Sequence, residues 1–132
     1  MKIRSLKKKF MPVICLVGIL VTGCSKSDTE MQSHQLVIES NYYQMQSANY
    51  ANRGWWFKQP NLYNLDSIIV NYQKALEYSN KSIEYLEKAK SLDSVRYTKE
   101  YNKRKGGLGP GGDEYRKHIQ EIVDKYVLKN LE

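Results

Sequence analysis

Three adjacent aromatic residues, Trp55, Trp56 and Phe57, could support the chemistry of stacking and interface anchoring. Tyr63 follows six residues later, and Pro60 between them prevents a continuous helix. Tryptophan and tyrosine rings stack on sugars and also anchor protein interfaces, because each joins a large apolar face to a polar tip. We predict that these four aromatic side chains contact either a partner protein or a glycan such as peptidoglycan. For at least one tryptophan, the favoured interpretation is a plug that closes one end of the bundle, with Trp56 turned inward and the other tryptophan left free for an interface.

Residues that could catalyse a reaction or ligate a metal are few in this sequence. His34 and His118 are its only histidines, and they are far apart along the chain. A zinc site needs three or four nitrogen, sulfur or oxygen ligands at close spacing. No Ser-His-Asp order and no pair of carboxylates stands out as a catalytic arrangement. We therefore expect no enzymatic activity, no metal and no cofactor.

The glycine-rich segment 106–112, Gly-Gly-Leu-Gly-Pro-Gly-Gly, superficially resembles a phosphate-binding loop. Such loops follow a strand and open a helix, and they place a lysine on the phosphates. No strand is predicted before this segment, Pro110 lacks an amide donor, and the lysines precede the loop. These features favour a flexible connecting loop.

Cys24 is the thiol whose surroundings are most informative. The first ten residues contain five basic residues and no acid, and an apolar run follows from Phe10 to Val21. Twelve helical residues span about 18 Å, which is too short to cross a hydrocarbon core of about 30 Å. A basic head, a short apolar middle and small residues before a polar break are typical of a secretory signal, here residues 1–23.

The end of this signal, Val21-Thr22-Gly23-Cys24, resembles the lipobox of bacterial lipoproteins. That resemblance implies cleavage before Cys24 and acylation of its thiol, so that membrane lipid holds the chain at its new N-terminus. A plain signal peptide with a chance cysteine is the alternative. Ser25 is not the aspartate that favours inner-membrane retention in this family, and Lys26 interrupts the acidic pattern used for surface display. The resemblance therefore implies an outer-membrane lipoprotein that faces the periplasm.

The net charge of the chain mostly reflects this N-terminal segment. The full chain carries 21 basic and 14 acidic residues, which gives +7, but five bases and no acid lie within residues 1–23. Removal of that segment leaves +2 on the remaining 109 residues. The basic character is therefore not evidence for nucleic-acid binding, and we expect no nucleic acid among the partners.

Behind a polar tether at residues 24–30, apolar periodicity predicts a helical domain at 31–132. A first helix is expected from about Glu30 to Asn52, ending near Gly54, although Leu36–Ile38 could also begin a strand. Its predicted buried stripe is Met31, Ile38, Tyr42, Met45 and Ala48. The strongest pattern predicts a second helix that starts at Asn64 or Asp66 and continues to about Leu92. The segment 94–105 could continue helically, and Asp113 is the predicted cap of a last helix to about Leu131.

These elements predict an all-α fold, a small antiparallel bundle of three to four helices with one long central helix. A short, tyrosine-rich helical body behind a lipobox resembles the TssQ-type lipoproteins of the type VI secretion envelope complex. The resemblance implies a structural role in a cell-envelope assembly, with envelope proteins as partners. A glycan- or peptidoglycan-binding lipoprotein that uses Trp55, Trp56 and Tyr63 is the alternative function.

Overall fold

The computed structural model describes residues 25–132, which form four α-helices and no β-strand. The helices are α1 (Ser25–Trp56), α2 (Leu65–Leu92), α3 (Ser94–Lys105) and α4 (Asp113–Asn130). The predicted all-α helical bundle is therefore confirmed. The predicted signal peptide and the lipidation site Cys24 lie outside the described residues.

Helix α2 packs against each of the other three helices. It forms an antiparallel hairpin with α1, since Ser40 contacts Ser82 while Ser47 contacts Ala75. Helices α3 and α4 follow one another beside this hairpin. Arg104 of α3 reaches Ser40, and Tyr115 of α4 reaches Ser47, so both helices run in the direction of α1. The architecture is an up-down-up bundle whose third helix is interrupted by the glycine-rich loop.

Small residues at intervals of seven form the contact between α1 and α2. The buried positions of α1 at this spacing are Ser33, Ser40, Ser47 and Gly54. The buried positions of α2 at the same spacing are Ile68, Ala75, Ser82 and Ala89. A repeat of seven corresponds to 3.5 residues per turn, the period of two helices that wind around each other. Short side chains let the two backbones approach closely enough for a serine of one helix to reach a carbonyl of the other.

The predicted buried stripe of α1 is wrong. Met31, Ile38 and Met45 are 37%, 47% and 63% exposed, while the serines on the other side of the helix are buried. The period of the apolar residues was correct, but the face that they define points away from α2. Close packing of α1 against α2 requires small side chains, so the larger apolar residues lie outside the contact.

Apolar packing is concentrated between α2 and α4. The buried residues of this core cluster are Ile68, Tyr72, Ala75, Ile119, Val123 and Tyr126. For α2 the sequence predicts a buried stripe with a wider flank, made of Leu65, Ile69, Tyr72, Leu76, Ser79, Ile83 and Leu86 together with Ile68, Ala75 and Ala89. Six of the seven buried residues of α2 belong to this set, and Ser82 is the addition. At the other half of α2, Tyr97 and Tyr101 of α3 are buried.

The helix ends follow the sequence signals in part. Asn64 caps α2, because its side chain accepts a hydrogen bond from the amide of Ser67, as predicted. Gly54 does not end α1, which continues to Trp56, and residues 25–30, predicted as a tether, form the first turns of α1. Asp113 is not a cap but the first residue of α4, and Gly112 occupies the cap position.

The glycine-rich loop, predicted to be flexible, packs onto α2. The hydroxyl of Ser79 donates a 2.5 Å hydrogen bond to the carbonyl of Pro110, and Gly111 and Gly112 are buried. A Cβ atom at Gly111 would lie 2.5 Å from the methylene groups of Arg104. A side chain at this position would therefore have to displace the arginine stem on which the loop backbone lies.

Candidate functional site

The turn between α1 and α2 holds the predicted aromatic residues on a hydrogen-bonded backbone. The carbonyls of Trp55 and Trp56 accept hydrogen bonds from the amides of Lys58 and Gln59 at 3.0 and 3.1 Å. The amide of Asn64 donates to the carbonyl of Phe57 at 3.2 Å, which closes the turn before α2 begins. The aromatic side chains therefore project from an ordered turn rather than from a long loose loop.

Gly54 determines how the end of α1 meets α2. A Cβ atom at this position would lie 2.6 Å from the ring of Tyr72, which is closer than such atoms approach. The ring of Tyr72 is 3% exposed and belongs to the core cluster. Glycine thus lets a large core side chain pack against the last turn of α1, immediately before the two tryptophans.

Both tryptophans are exposed at this end of the molecule. Trp55 is 50% and Trp56 is 56% exposed, and Leu62 and Tyr63 of the same turn are 51% and 48% exposed. We call these four side chains the aromatic tip. The rings of Trp55 and Trp56 lie 5.3 Å apart between centroids at an interplanar angle of 74°, so they do not form one flat platform.

The prediction that Trp56 turns inward is wrong. Phe57 is the ring of this segment that packs against the core cluster, and it is partly buried there. The apolar phenyl ring has no polar atom to satisfy, whereas each indole carries an N–H group that needs a partner when buried. The sequence motif therefore divides into one packing ring and two displayed rings.

Arg104 is a buried group that the sequence analysis did not identify. Its side chain is 8% exposed, and its guanidinium donates to the Ser40 hydroxyl at 2.5 Å and to the Asn41 side chain at 2.7 Å. Burial lowers the pKa of Arg104, and the nearby Glu100 carboxylate partly opposes that shift. The guanidinium thus holds α3 onto α1. Its place in a Lys-Arg-Lys run gave no signal that it alone is buried.

An open depression of about 200 Å³ lies next to this arginine. Its lining residues are Gln44, Glu100, Lys103, Arg104, Gly107 and Gly109. The guanidinium of Arg104 already bonds three protein groups, so the depression offers one unengaged cation beside one carboxylate. That combination does not define an anion site.

Stacked tyrosines line another side of the α1–α2 hairpin. The rings of Tyr50 and Tyr78 are almost parallel, and their centroids lie 5.5 Å apart. The ring of Tyr43 also stacks on Tyr78, at 5.7 Å between centroids. Lysine ammonium groups cover these rings, among them Lys74 over Tyr50 at 5.3 Å and Lys81 over Tyr78 at 5.4 Å. These rings stabilise the hairpin through contacts within the chain, since their faces are already occupied by cations.

The two histidines lie on separate helices and are both exposed, His34 on α1 and His118 on α4. Among residues 25–132 no group of three or more histidine, cysteine, aspartate or glutamate side chains could hold a metal ion. No helix in this part of the chain combines the length and the apolar character needed to cross a membrane.

Comparison of the chain with models of known protein families, with curated proteins and with solved structures gives no match in any of the three.

Proposed function

We propose that the chain is a lipoprotein held in the outer membrane through Cys24, which presents the aromatic tip to a protein of the cell envelope. The exposure of two adjacent tryptophans on an ordered turn is the observation that carries this proposal. Large apolar side chains that remain exposed on a folded domain are typical of interaction sites. Tryptophan is also the residue most enriched among the side chains that dominate binding energy at interfaces.

The position of the tip supports an anchored role. Helix α1 contains 32 residues from Ser25 to Trp56, which corresponds to about 48 Å of helix. Its first residue directly follows the proposed acylation site, and its last residue is one of the two exposed tryptophans. A chain anchored at Cys24 would hold the aromatic tip at the far end of a long helix, away from the anchor.

The ring geometry favours a protein partner over a glycan. A sugar ring stacks on an exposed flat aromatic surface, and two tryptophans extend such a surface only when they are nearly coplanar. The 74° angle between Trp55 and Trp56 instead gives a ridge with an edge. Leu62 adds an exposed aliphatic group to the same turn, which suits an apolar protein pocket. On the basis of the resemblance to TssQ-type lipoproteins, the proposed envelope assembly is the type VI secretion envelope complex.

Co-purification from detergent-solubilised envelopes tests the proposal with the full chain. We expect Trp55→Ala and Trp56→Ala to lose a protein partner that the wild type recovers, while the chain stays at normal levels in the envelope. Leu128→Ala is the matched control, because Leu128 is 64% exposed on α4, outside the turn. Loss of the partner with Leu128→Ala alone would contradict a role of the tip. Binding of the wild type to peptidoglycan, lost in both tryptophan variants with partner recovery intact, would establish the glycan alternative.

A further inference from the structure

The outer face of α1 differs from the other surfaces of the molecule in its charge. From Met31 to Asn52 the only charged residue is Glu39, and it is 4% exposed. The other three helices carry eight, six and eight charged side chains on 28, 12 and 18 residues respectively. A solvated helix face normally carries charge, and the centre of a protein interface is depleted in it.

Exposed apolar residues lie in a straight line along this uncharged face. Met31, Ile38 and Met45 are spaced by seven residues and are between 37% and 63% exposed. Ile38 is two residues from Ser40, or about 200° around the helix, which places the line opposite the contact with α2.

This line has the spacing of a coiled-coil seam. Alternating steps of four and three residues connect Met31, Gln35, Ile38, Tyr42, Met45, Asn49, Asn52 and Trp56. The spacing persists over the 26 residues from Met31 to Trp56, which is more than three heptads. The seven-residue repeat between α1 and α2 keeps α1 at the same period, so the outer seam stays parallel to the helix axis.

We propose that this seam pairs with the same seam of a second copy of the chain, in a parallel two-fold dimer. A two-fold interface brings each residue close to its own counterpart, so a charged face would repel itself. The exposed amides of Asn49 and Asn52 are self-complementary, because each amide both donates and accepts hydrogen bonds. A buried asparagine at a seam position is also a known determinant of pairing and register.

The parallel orientation follows from the proposed anchor, and this part of the inference rests on the proposed function. Two copies held at Cys24 in one membrane begin α1 at the same level, so their seams meet in register. A seam with amides at three of eight positions binds more weakly than an aliphatic one, and confinement to one membrane raises the effective concentration that compensates for it. The dimer would carry two aromatic tips side by side.

Disulfide cross-linking of the full chain in envelopes tests the dimer. Met31→Cys, Met45→Cys and Asn52→Cys place one thiol at the start, in the middle and near the end of the seam. Asn80→Cys, at an exposed asparagine of α2, is the matched control, and the wild type reports any background from Cys24. We expect an oxidant-dependent homodimer with all three seam variants and none with the control, because Cα atoms of paired seam residues lie within disulfide reach.

Three outcomes overturn the proposal. Absence of homodimer in all three seam variants would show that a second copy does not cover this face. Cross-links to a different protein would identify another occupant. Cross-linking of Met45→Cys without Met31→Cys and Asn52→Cys would exclude the parallel arrangement. A failed dimer with normal palmitate incorporation and normal partner recovery would leave the proposed function intact, so the two failures are distinguishable.

Discussion

The hydroxyl of Ser40 on α1 donates a 2.5 Å hydrogen bond to the backbone carbonyl of Ser82 on α2. The same hydroxyl accepts a hydrogen bond from Arg104 of α3. Seven residues later the arrangement recurs: Ser47 donates to the carbonyl of Ala75 at 2.6 Å, and its hydroxyl lies 3.0 Å from that of Tyr115. In each layer a serine of α1 thus bonds to the backbone of α2, and one long side chain reaches that serine from α3 or α4. The small residues of α1 therefore determine how closely α2, α3 and α4 pack against it.

Gly54→Ala should destabilise the protein, although the same exchange inside an exposed helix stabilises it by about 0.5–1 kcal/mol. The added methyl group would lie 2.6 Å from the ring of Tyr72, and overpacking of a core typically costs about 1–3 kcal/mol. Urea unfolding followed by circular dichroism measures the difference. Gly109→Ala is the control, because the nearest atom to its Cβ would be 3.8 Å away. A gain in stability for Gly54→Ala would contradict the close approach of the helix end to Tyr72.

The sequence predicted which segments are helical better than it predicted which face of a helix is buried, and α1 shows why. Apolar periodicity identifies which residues share a face, but it assumes that the larger residues are buried. In α1 the buried residues are Glu39 and four small residues, Ser33, Ser40, Ser47 and Gly54. The strict seven-residue spacing of these small residues was a usable signal, matched on α2 by Ala75, Ser82 and Ala89.

The aromatic residues and the glycine-rich loop show a second limit of the sequence. Trp55, Trp56 and Phe57 are adjacent, so their division into displayed and packed rings depends on the exact end of α1, which the sequence placed near Gly54. The loop composition predicts flexibility, but the hydrogen bond from Ser79 to Pro110 depends on a contact 31 residues away. Such contacts can be predicted only when the register of α2 against α3 and α4 is known.

Arg104→Ala should destabilise the fold more than Lys103→Ala, its neighbour in the same basic run. Arg104 is buried and donates hydrogen bonds to Ser40 and Asn41, whereas Lys103 is exposed. Loss of hydrogen bonds to a charged group typically costs about 1.5–3 kcal/mol, and exposed substitutions stay within about 0.5 kcal/mol. Arg104→Lys should not restore full stability, because an ammonium group cannot reproduce the planar fork of a guanidinium. Equal melting temperatures for Arg104→Ala and Lys103→Ala would contradict the arginine clamp.

The free energy of unfolding should fall as the pH rises above about 10, the ordinary tyrosine pKa. Burial raises the pKa of Tyr115 and of Tyr72 in the folded state. A folded-state pKa above the unfolded value means that the stabilisation is complete below the unfolded pKa and is lost as pH rises through the folded pKa. Tyr115→Phe should reduce this alkaline loss, because phenylalanine has no proton to release. The exposed Tyr63 provides the control variant Tyr63→Phe, and an equal change in both would contradict the role of burial.

Cys24→Ser should abolish acylation, because the proposed mature chain contains no other thiol. Labelled palmitate should enter the wild type and not the variant, and the variant should leave the membrane fraction. Acyl chains hold a protein stably only when at least two are attached, so loss of the thiol removes the anchor completely. Cys15→Ser is the control, since Cys15 lies within the predicted signal. Equal incorporation into wild type and Cys24→Ser would disprove the anchor.

Phe57→Ala should reduce stability, whereas Trp55→Ala and Trp56→Ala should not. Phe57 packs against the core cluster, and truncation of such a side chain typically costs about 0.5–3 kcal/mol. The tryptophans are at least half exposed, so their removal should stay within about 0.5 kcal/mol. In the monomeric, unanchored domain without a partner, the fluorescence of both rings should be accessible to a soluble quencher. A protected tryptophan, or a tryptophan variant less stable than Phe57→Ala, would show that the indoles close the end of the bundle. Quenching that disappears when the co-purified partner is added would identify the aromatic tip as the contacted surface.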